Sequence, residues 1–497
     1  MSNIRVTYSG LVSFGSGLIN IGTSLIFVLI ITRTLSQQEY GTWGLITSLF
    51  VYGMLTSSIV NFWTIRGIAR GEKVGKISLV SSGLFSIIGV CMYLGISLFI
   101  APQSSSEINL FLISTILIPI NFLSKAISSI NLGWRPQVSS YGILLVGITS
   151  IPLALFFIYF LDWSIIGIIT TLALAQSVNI VYQTICARNK IKTKIELKIL
   201  KRWVKFSWLP IYPAITRLLY TTDVIIFSLI TGSVIGISYY SAAIVIASFV
   251  GHASVISTSV YSKLLSGDKG NMISKNLTHL AYFMCPMFFL AITFAKPGLF
   301  ILNPIYGIAV LPVIFITCST LLFSLTGIFE SFLLGTETVD KETDITFKKS
   351  IKSRLFLIPS LHLIQYTVYL TVFAIVMVLL QDSNNNLELV IYWSLILVIF
   401  QIPFTIYRFY SIKQTFQLKI EVNSIIKYII ASLFSFSLIY ILMEKFLVYN
   451  ESIFKFLPTV LIFVFSAIIM YLLITFVIDK STRNLLKSII SEIKNKL

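Results

Sequence analysis

The chain has 497 residues, 56% of them hydrophobic and only 11% charged, with a formal net charge of +18. No water-soluble fold hides that much apolar surface, which excludes a soluble enzyme or a soluble binding domain. The basic excess does not mark a nucleic-acid binder either, because it is spread over the loops on one side of a membrane topology.

A run of about 20 apolar residues crosses a bilayer, and lipid offers backbone groups no partner, so such runs are helices. In chain order they fall at 9–32, 41–65, 77–101, 107–131, 137–161, 163–186, 204–230, 234–262, 276–301, 307–334, 355–380, 388–407, 425–444 and 456–478. Long unbroken runs exclude a β-barrel, whose strands read as short alternating segments. The predicted fold class is an all-α polytopic membrane protein with 14 transmembrane helices. The first run is too long for a signal-peptide core, and Ile31, Thr32 and Arg33 follow it where a small-residue cleavage site would stand, so it is expected to remain as the first span. The fifth and sixth runs are joined by a tight turn near Asp162, and 296–305 is a candidate re-entrant stretch.

With the N-terminus placed in the cytoplasm, 31 of the 37 lysines and arginines fall in cytoplasmic segments and only Arg33, Lys296, Lys445 and Lys455 in outer loops. Lys125 and Arg217 lie inside spans. That asymmetry predicts an even number of spans with both termini on the cytoplasmic side of a membrane. Cys91, Cys186, Cys285 and Cys318 fall in or at the ends of spans without paired spacing, as small apolar core residues do.

The connector 187–205 carries Ile191, Ile195 and Ile199 four residues apart among lysines, a pattern that suits a helix lying in the cytoplasmic interface; an ordinary basic loop is the alternative. It divides the chain into 1–186 (spans 1–6), the linker, 206–413 (spans 7–12) and 414–497 (two further spans and a basic tail). Leu35-Ser36-x4-Gly41 after the first span echoes Ile230-Thr231-x4-Gly236 after the seventh, as two parallel repeats would. No loop is long enough for a soluble domain, which argues against a membrane glycosyltransferase or polymerase. No glycine-rich phosphate loop is present, so ATP is not expected to drive this chain.

Five segments in order resemble the polysaccharide-export flippases (Wzx-type) of the multidrug/oligosaccharidyl-lipid/polysaccharide (MOP) exporter superfamily. They are Ile31-Thr32-Arg33-Thr34-Leu35-Ser36-Gln37-Gln38-Glu39-Tyr40-Gly41; Thr64-Ile65-Arg66-Gly67-Ile68-Ala69-Arg70; Asp223-Val224-Ile225-Ile226 followed by Gly236-Ile237-Ser238-Tyr239-Tyr240-Ser241-Ala242-Ala243; Leu302-Asn303-Pro304-x-Tyr306; and Gly335-Thr336-Glu337-x2-Asp340 with the basic run to Arg354, which resembles archaeal members. The resemblance implies two six-helix MATE-like lobes around a central cavity, two extra C-terminal helices, and transport of isoprenoid-linked glycan to the outer leaflet beside glycan-assembly enzymes. A cation-coupled multidrug exporter is the alternative on the same fold.

An ionisable group at the bilayer centre costs about 2.5–3.5 kcal/mol, so it faces a cavity or a partner. On the implied fold, Arg217, Lys125 and Arg66 line an inward-facing cationic cavity suited to a pyrophosphate, and Arg33 stands at the outer mouth. Snorkelling is the alternative for Lys125, Arg66 and Arg33, and pairing with Glu39 a further one for Arg33. Asp223 and Glu330 are the candidates for coupling to H+ or Na+, with a hydrogen-bonded helix contact as the alternative, favoured for Glu330. Arg217 and Asp223 are six residues apart, roughly 240° around a helix, so a direct pair is not expected. His252, His279 and His362 lack metal-ligand spacing, and neither a metal nor another cofactor is expected.

Overall fold

The computed structural model describes residues 6–252, 271–335, 353–382, 385–416, 421–479 and 482–483. Every regular element among them is helical. α1 is Val6–Thr34, α2 Gln37–Gly53, α3 Ser57–Ala69, α4 Gly75–Ile100, α5 Ile108–Ser114, α6 Leu117–Trp134, α7 Pro136–Ala154, α8 Ser164–Ile191, α9 Leu197–Lys205, α10 Trp208–Tyr220, α11 Thr222–Thr231 and α12 Ile235–His252. α13 is Asn271–Thr293, α14 Ala295–Leu302, α15 Val310–Gly335, α16 Arg354–Leu380, α17 Asn386–Phe416, α18 Val422–Phe446 and α19 Ile453–Ile478.

Among the described residues, 12 helical stretches are long and apolar enough to cross a membrane, or 13 when α2 and α3, bent by 58° at residues 54–56, count as one broken span. The chain is thus an all-helical, multi-pass membrane protein. α1 occupies the first predicted run, and its described apolar part is the shorter stretch Ile19–Thr34. Several spans are interrupted where composition gave no warning: α5 gives way to α6 at residues 115–116, α10 to α11 at Thr221, and α7 ends in a wide π turn, Leu155–Phe160. Asp162, with a left-handed backbone (φ 52°), closes the predicted tight turn into α8. The candidate re-entrant stretch is a hook of two short helices, α14 and the 3-10 turn Pro304–Ile308, in which the Asn303 side chain accepts from the Ile305 N–H and Tyr306 is buried.

The residues fall into two compact units, Met1–Ser241 with Pro359–Leu389, and Ala242–Ile358 with Val390–Leu497. In the first, α4 turns Ser78, Ser81, Ser82, Ser86 and Gly89 inward, the small residues that let membrane helices approach closely. A Cβ on Gly89 would come within 2.2 Å of the Gly53 carbonyl, so α2 and α4 cross at a glycine pair. Gly41 of the Glu39-Tyr40-Gly41 motif abuts Val234 so tightly that a Cβ would lie 2.0 Å from its carbonyl oxygen; the two echoing turns of the sequence therefore pack on each other.

The 187–205 connector is not one interfacial helix. α8 continues to Ile191, and α9 begins only at Leu197. Trp203 is wholly buried among Ile59, Ile68, Val74 and Ala187, and Ile191, Ile199 and Leu200 pack against the same cluster, while Ile195, Leu197 and Val204 stay exposed, so α9 docks by its tryptophan with part of the isoleucine stripe beside it. Arg202 adds an exposed ion pair to Glu72 at 3.2 Å. The segment 336–352, with most of the last family-like motif, lies outside the described residues, as do 253–270 and the tail beyond 483.

In the second unit, α18 and α19 pack through Phe436, Met443, Phe456 and Val460 onto Phe294. Their ends are fastened at Asp479, which accepts from the Tyr428 hydroxyl at 2.9 Å and the Thr482 N–H at 2.9 Å, with the Lys427 ammonium 3.7 Å away. Burial opposes the Asp479 charge, but these donors together outweigh it and hold the carboxyl below its ordinary range.

Candidate functional site

Arg217 and Lys125 stand on antiparallel helices of the first unit. Lys125 lies nine residues before the end of α6 and Arg217 nine residues after the start of α10, so each is about 14 Å in from the same, basic end. They share a depth and an electrostatic field: the Arg217 charge acts on the Lys125 ammonium. Both side chains are exposed at the surface of the first unit. Among the described residues neither makes an ion pair.

Arg66 is half-buried in the last turn of α3, with its guanidinium 3.6 Å over the Phe62 ring, a cation–π contact within one helix. Arg33 is half-buried in the last turn of α1, at the opposite end of the helices from Arg66. Glu39 closes a capping box with Ser36, whose N–H donates to Oε2 at 2.8 Å, and it also accepts from the Ser164 hydroxyl. The signal for that box, Ser36-x-x-Glu39, was open in the sequence.

Asp223 meets a different environment from Arg217. The helix breaks at Thr221, and Asp223 opens α11 at 2% exposure. Its Oδ2 accepts from the Tyr369 hydroxyl at 2.7 Å and its Oδ1 from the Val224 N–H at 2.9 Å. Tyr220 and Tyr240 lie within range of its charge, and Tyr52 bonds the adjacent Thr222 hydroxyl at 2.7 Å. On α16, His362, Tyr366, Tyr369 and Phe373 form an aromatic column, with Tyr366 also against Tyr220. The result is a buried carboxylate hydrogen-bonded inside a tyrosine cage.

Glu330 belongs to the second unit. It lies 2.9 Å from the Arg408 Nε in an ionic contact whose angle does not suit a hydrogen bond. Sequence reading placed Arg408 in a cytoplasmic loop after a run ending at 407; α17 in fact continues to Phe416, and Arg408 is 2% exposed. Gln401, Thr405 and Arg408 share one face of α17 and meet Thr326 and Glu330 of α15: Gln401 donates to the Thr326 hydroxyl at 3.2 Å, and Thr326 and Thr405 are 2.8 Å apart. The same unit holds an apolar cavity of about 580 Å3, lined by Leu277, Met284, Phe288, Leu325, Phe409 and Ile429 among others.

No protein-family description matches the chain, and no curated protein does. Solved structures match it over most of its length. An inward-facing multidrug resistance MATE family transporter of the MOP superfamily gives a TM-score of 0.57 at 13% identity, covering 82% of this chain and 98% of its own. The lipid II flippase MurJ, in an inward closed conformation, gives 0.54 at 15% identity, covering 97% of this chain and 99% of its own. A MOP superfamily transporter from Pyrococcus furiosus, described as having a binding pocket of reversed polarity, gives 0.50 at 13% identity over 81% and 94%. The fold is that of the MOP superfamily transporters. In this MOP fold the first unit carries two cations at one depth and a caged carboxylate; the second carries a paired arginine and an apolar cavity. Two like charges within electrostatic reach of each other favour an anion near both, and Arg offers a planar fork of donors that matches phosphate oxygens. Among the described residues no group of His, Cys, Asp and Glu could hold a metal ion.

Proposed function

We propose that the chain is a flippase for isoprenoid-linked oligosaccharide, carrying the pyrophosphate-bearing headgroup from the cytoplasmic to the outer leaflet by alternating access between two lobes, 1–186 and 206–413. The single observation that carries this reading is the shared depth of Lys125 and Arg217, two cations without an acidic partner among the described residues. Neither charge is stable in lipid, and an anionic headgroup compensates both. Arg66 then stands at the entry end and Arg33 at the release end. The apolar cavity of the second unit suits a hydrocarbon tail. The likeness to a lipid II flippase, over 97% of this chain, supports a cargo of that chemical class. Of the two acids considered for coupling to H+ or Na+, Glu330 is engaged by Arg408, so Asp223 is the residue we assign that role.

The test is complementation in a strain deleted for this gene. Lipid-linked glycan accumulates on the cytoplasmic leaflet and the wild-type chain clears it. Each lost charge-assisted contact to phosphate removes about 1.5–3 kcal/mol, so the Arg217→Ala/Lys125→Ala double variant should lower the rate at least tenfold at limiting cargo. Full rescue by that variant removes the cavity assignment. A cation-coupled exporter is the second reading, favoured by the likeness to the MATE structure and by the caged Asp223. Drug efflux with no glycan phenotype would establish it instead.

A further inference from the structure

The three described non-glycine residues with a left-handed backbone are Ser105 (φ 52°), Asp162 (φ 52°) and Ser164 (φ 49°). Such residues carry strain that the surrounding structure must over-determine. Ser105 and Ser164 line one cavity of about 470 Å3, and Asp162 directly precedes its lining residue Trp163 in the chain. The cavity lies in the first unit, at the helix ends opposite the basic connectors, between the start of α2, the 3-10 turn Pro102–Ser104 with the start of α5, and the start of α8. Its volume is in the ~300–1,000 Å3 range of small-ligand sites.

Its lining has a definite chemistry. Ser36, Gln38, Thr42, Ser105, Ser106 and Ser164 contribute hydroxyls and an amide, with Glu39 and Glu107 as carboxylates and no lysine or arginine. Most of these donors are spent inside the protein. Thr42 donates to the Gln38 carbonyl at 2.8 Å, Ser105 to the Gly232 carbonyl at 3.0 Å and Ser164 to Glu39, while the Gln38 amide donates to the Ser105 carbonyl at 3.2 Å. What faces the cavity is therefore rich in acceptors: hydroxyl lone pairs and the exposed Glu107 carboxylate. Acceptors without cations repel phosphate and match a ligand made of hydroxyl donors. One wall is Trp163, 45% exposed, whose indole is braced by Phe157 at 5.2 Å between centroids. A rigid aromatic face beside acceptors fits the C–H face and hydroxyl rim of a pyranose.

We propose that this cavity is a sugar-binding subsite on the side away from the basic loops, receiving a pyranose of the translocated glycan. That the sugar is cargo rests on the flippase reading; that the cavity binds a pyranose rests on its lining alone. The test uses the full chain in lipid nanodiscs and saturation-transfer NMR with free glucose, galactose, mannose and N-acetylglucosamine. At least one should show transfer to its ring C–H protons. Affinity should fall about tenfold in Trp163→Ala and stay within about threefold in Trp163→Phe, as loss or retention of a stacking face requires. Glu107→Gln, which keeps the shape and removes an acceptor charge, should weaken binding severalfold. Melting curves of all three variants establish that they are folded. The subsite is rejected if no pyranose shows transfer, if Trp163→Ala leaves transfer unchanged (an interfacial anchor only), or if ethidium binds there while sugars do not. Flipping in cells with no pyranose binding removes the subsite and spares the flippase reading; pyranose binding without flipping does the reverse.

Discussion

Arg408 and Glu330 illustrate how little a single charge reveals until its partner is in place. The arginine is 2% exposed and the glutamate 13%, and the loss of either leaves the other a buried charge without its counter-ion. Removing one member of such a pair costs about 3–5 kcal/mol, whereas replacing both with apolar residues of similar size is often nearly neutral. Arg408→Met alone should therefore lower the detergent melting temperature clearly more than Arg408→Met/Glu330→Met, and equal losses would show that the pair adds no coupling. The burial of Arg408 was not legible in the sequence, because Glu330 lies on a different helix and a lone Arg near a predicted span end reads as a loop residue. Lys125 and Arg217 were legible as cations inside spans, but not their common depth, which needs the antiparallel placement of α6 and α10. Asp479 supplies a pH test. Its folded carboxyl sits below the ordinary range, so its contribution to stability is fully present above the unfolded pKa, about 3.9, and is lost as pH falls through the lower folded value. Tryptophan-fluorescence melting below about pH 4 should drop more steeply for the wild type than for Asp479→Asn, and parallel curves would discount the cluster.

At the scale of the element, the apolar runs placed the helices well, because a bilayer imposes one length on every span. They did not place the breaks at residues 54–56, 115–116 and 221, since none of these residues is proline or glycine and the chain tightens there into local turns (Leu55 N–H to the Tyr52 carbonyl, Ile116 to Ile113, Thr221 to Leu218) that keep the backbone bonded within the span. The linker helix α9 shows the same limit. Its apolar face, with Ile199, Leu200 and Trp203, was visible, but not that Trp203 would be its one fully buried residue, because the pocket that takes it comes from helices distant in sequence. Truncating a fully buried tryptophan costs about 3–5 kcal/mol. Because α9 makes few other buried contacts, Trp203→Ala should release α9 while the spans hold. Limited proteolysis around 192–207 should then accelerate at least tenfold with little change in the main melting transition, and unchanged cleavage would mean that α9 is held by other contacts.

At the scale of the whole molecule, the sorting of basic residues argues for orientation independently of any site. Of the 37 lysines and arginines, 31 read as cytoplasmic and four as outer; moving Arg408 into α17 takes one from the first group and leaves the asymmetry intact. An inverted molecule would place some 30 cations in short outer loops, against the strongest bias known for membrane topology. The structure supplies two exposed reporter positions on opposite helix ends: Gln103, in the turn after α4, and Lys194, between α8 and α9. Cys91, Cys186, Cys285 and Cys318 are all free, so a cysteine-free background loses no disulfide. In that background an impermeant maleimide should label Gln103→Cys in intact cells and Lys194→Cys only after permeabilisation. The reverse pattern would put Arg66 at the outer face, turn the Lys125–Arg217 pair toward cargo on the wrong leaflet, and remove the direction of transport along with the outward-facing sugar subsite. Labelling of both positions from one side would instead mean an even number of crossings between them, against the three predicted spans at 107–131, 137–161 and 163–186, which place them on opposite faces.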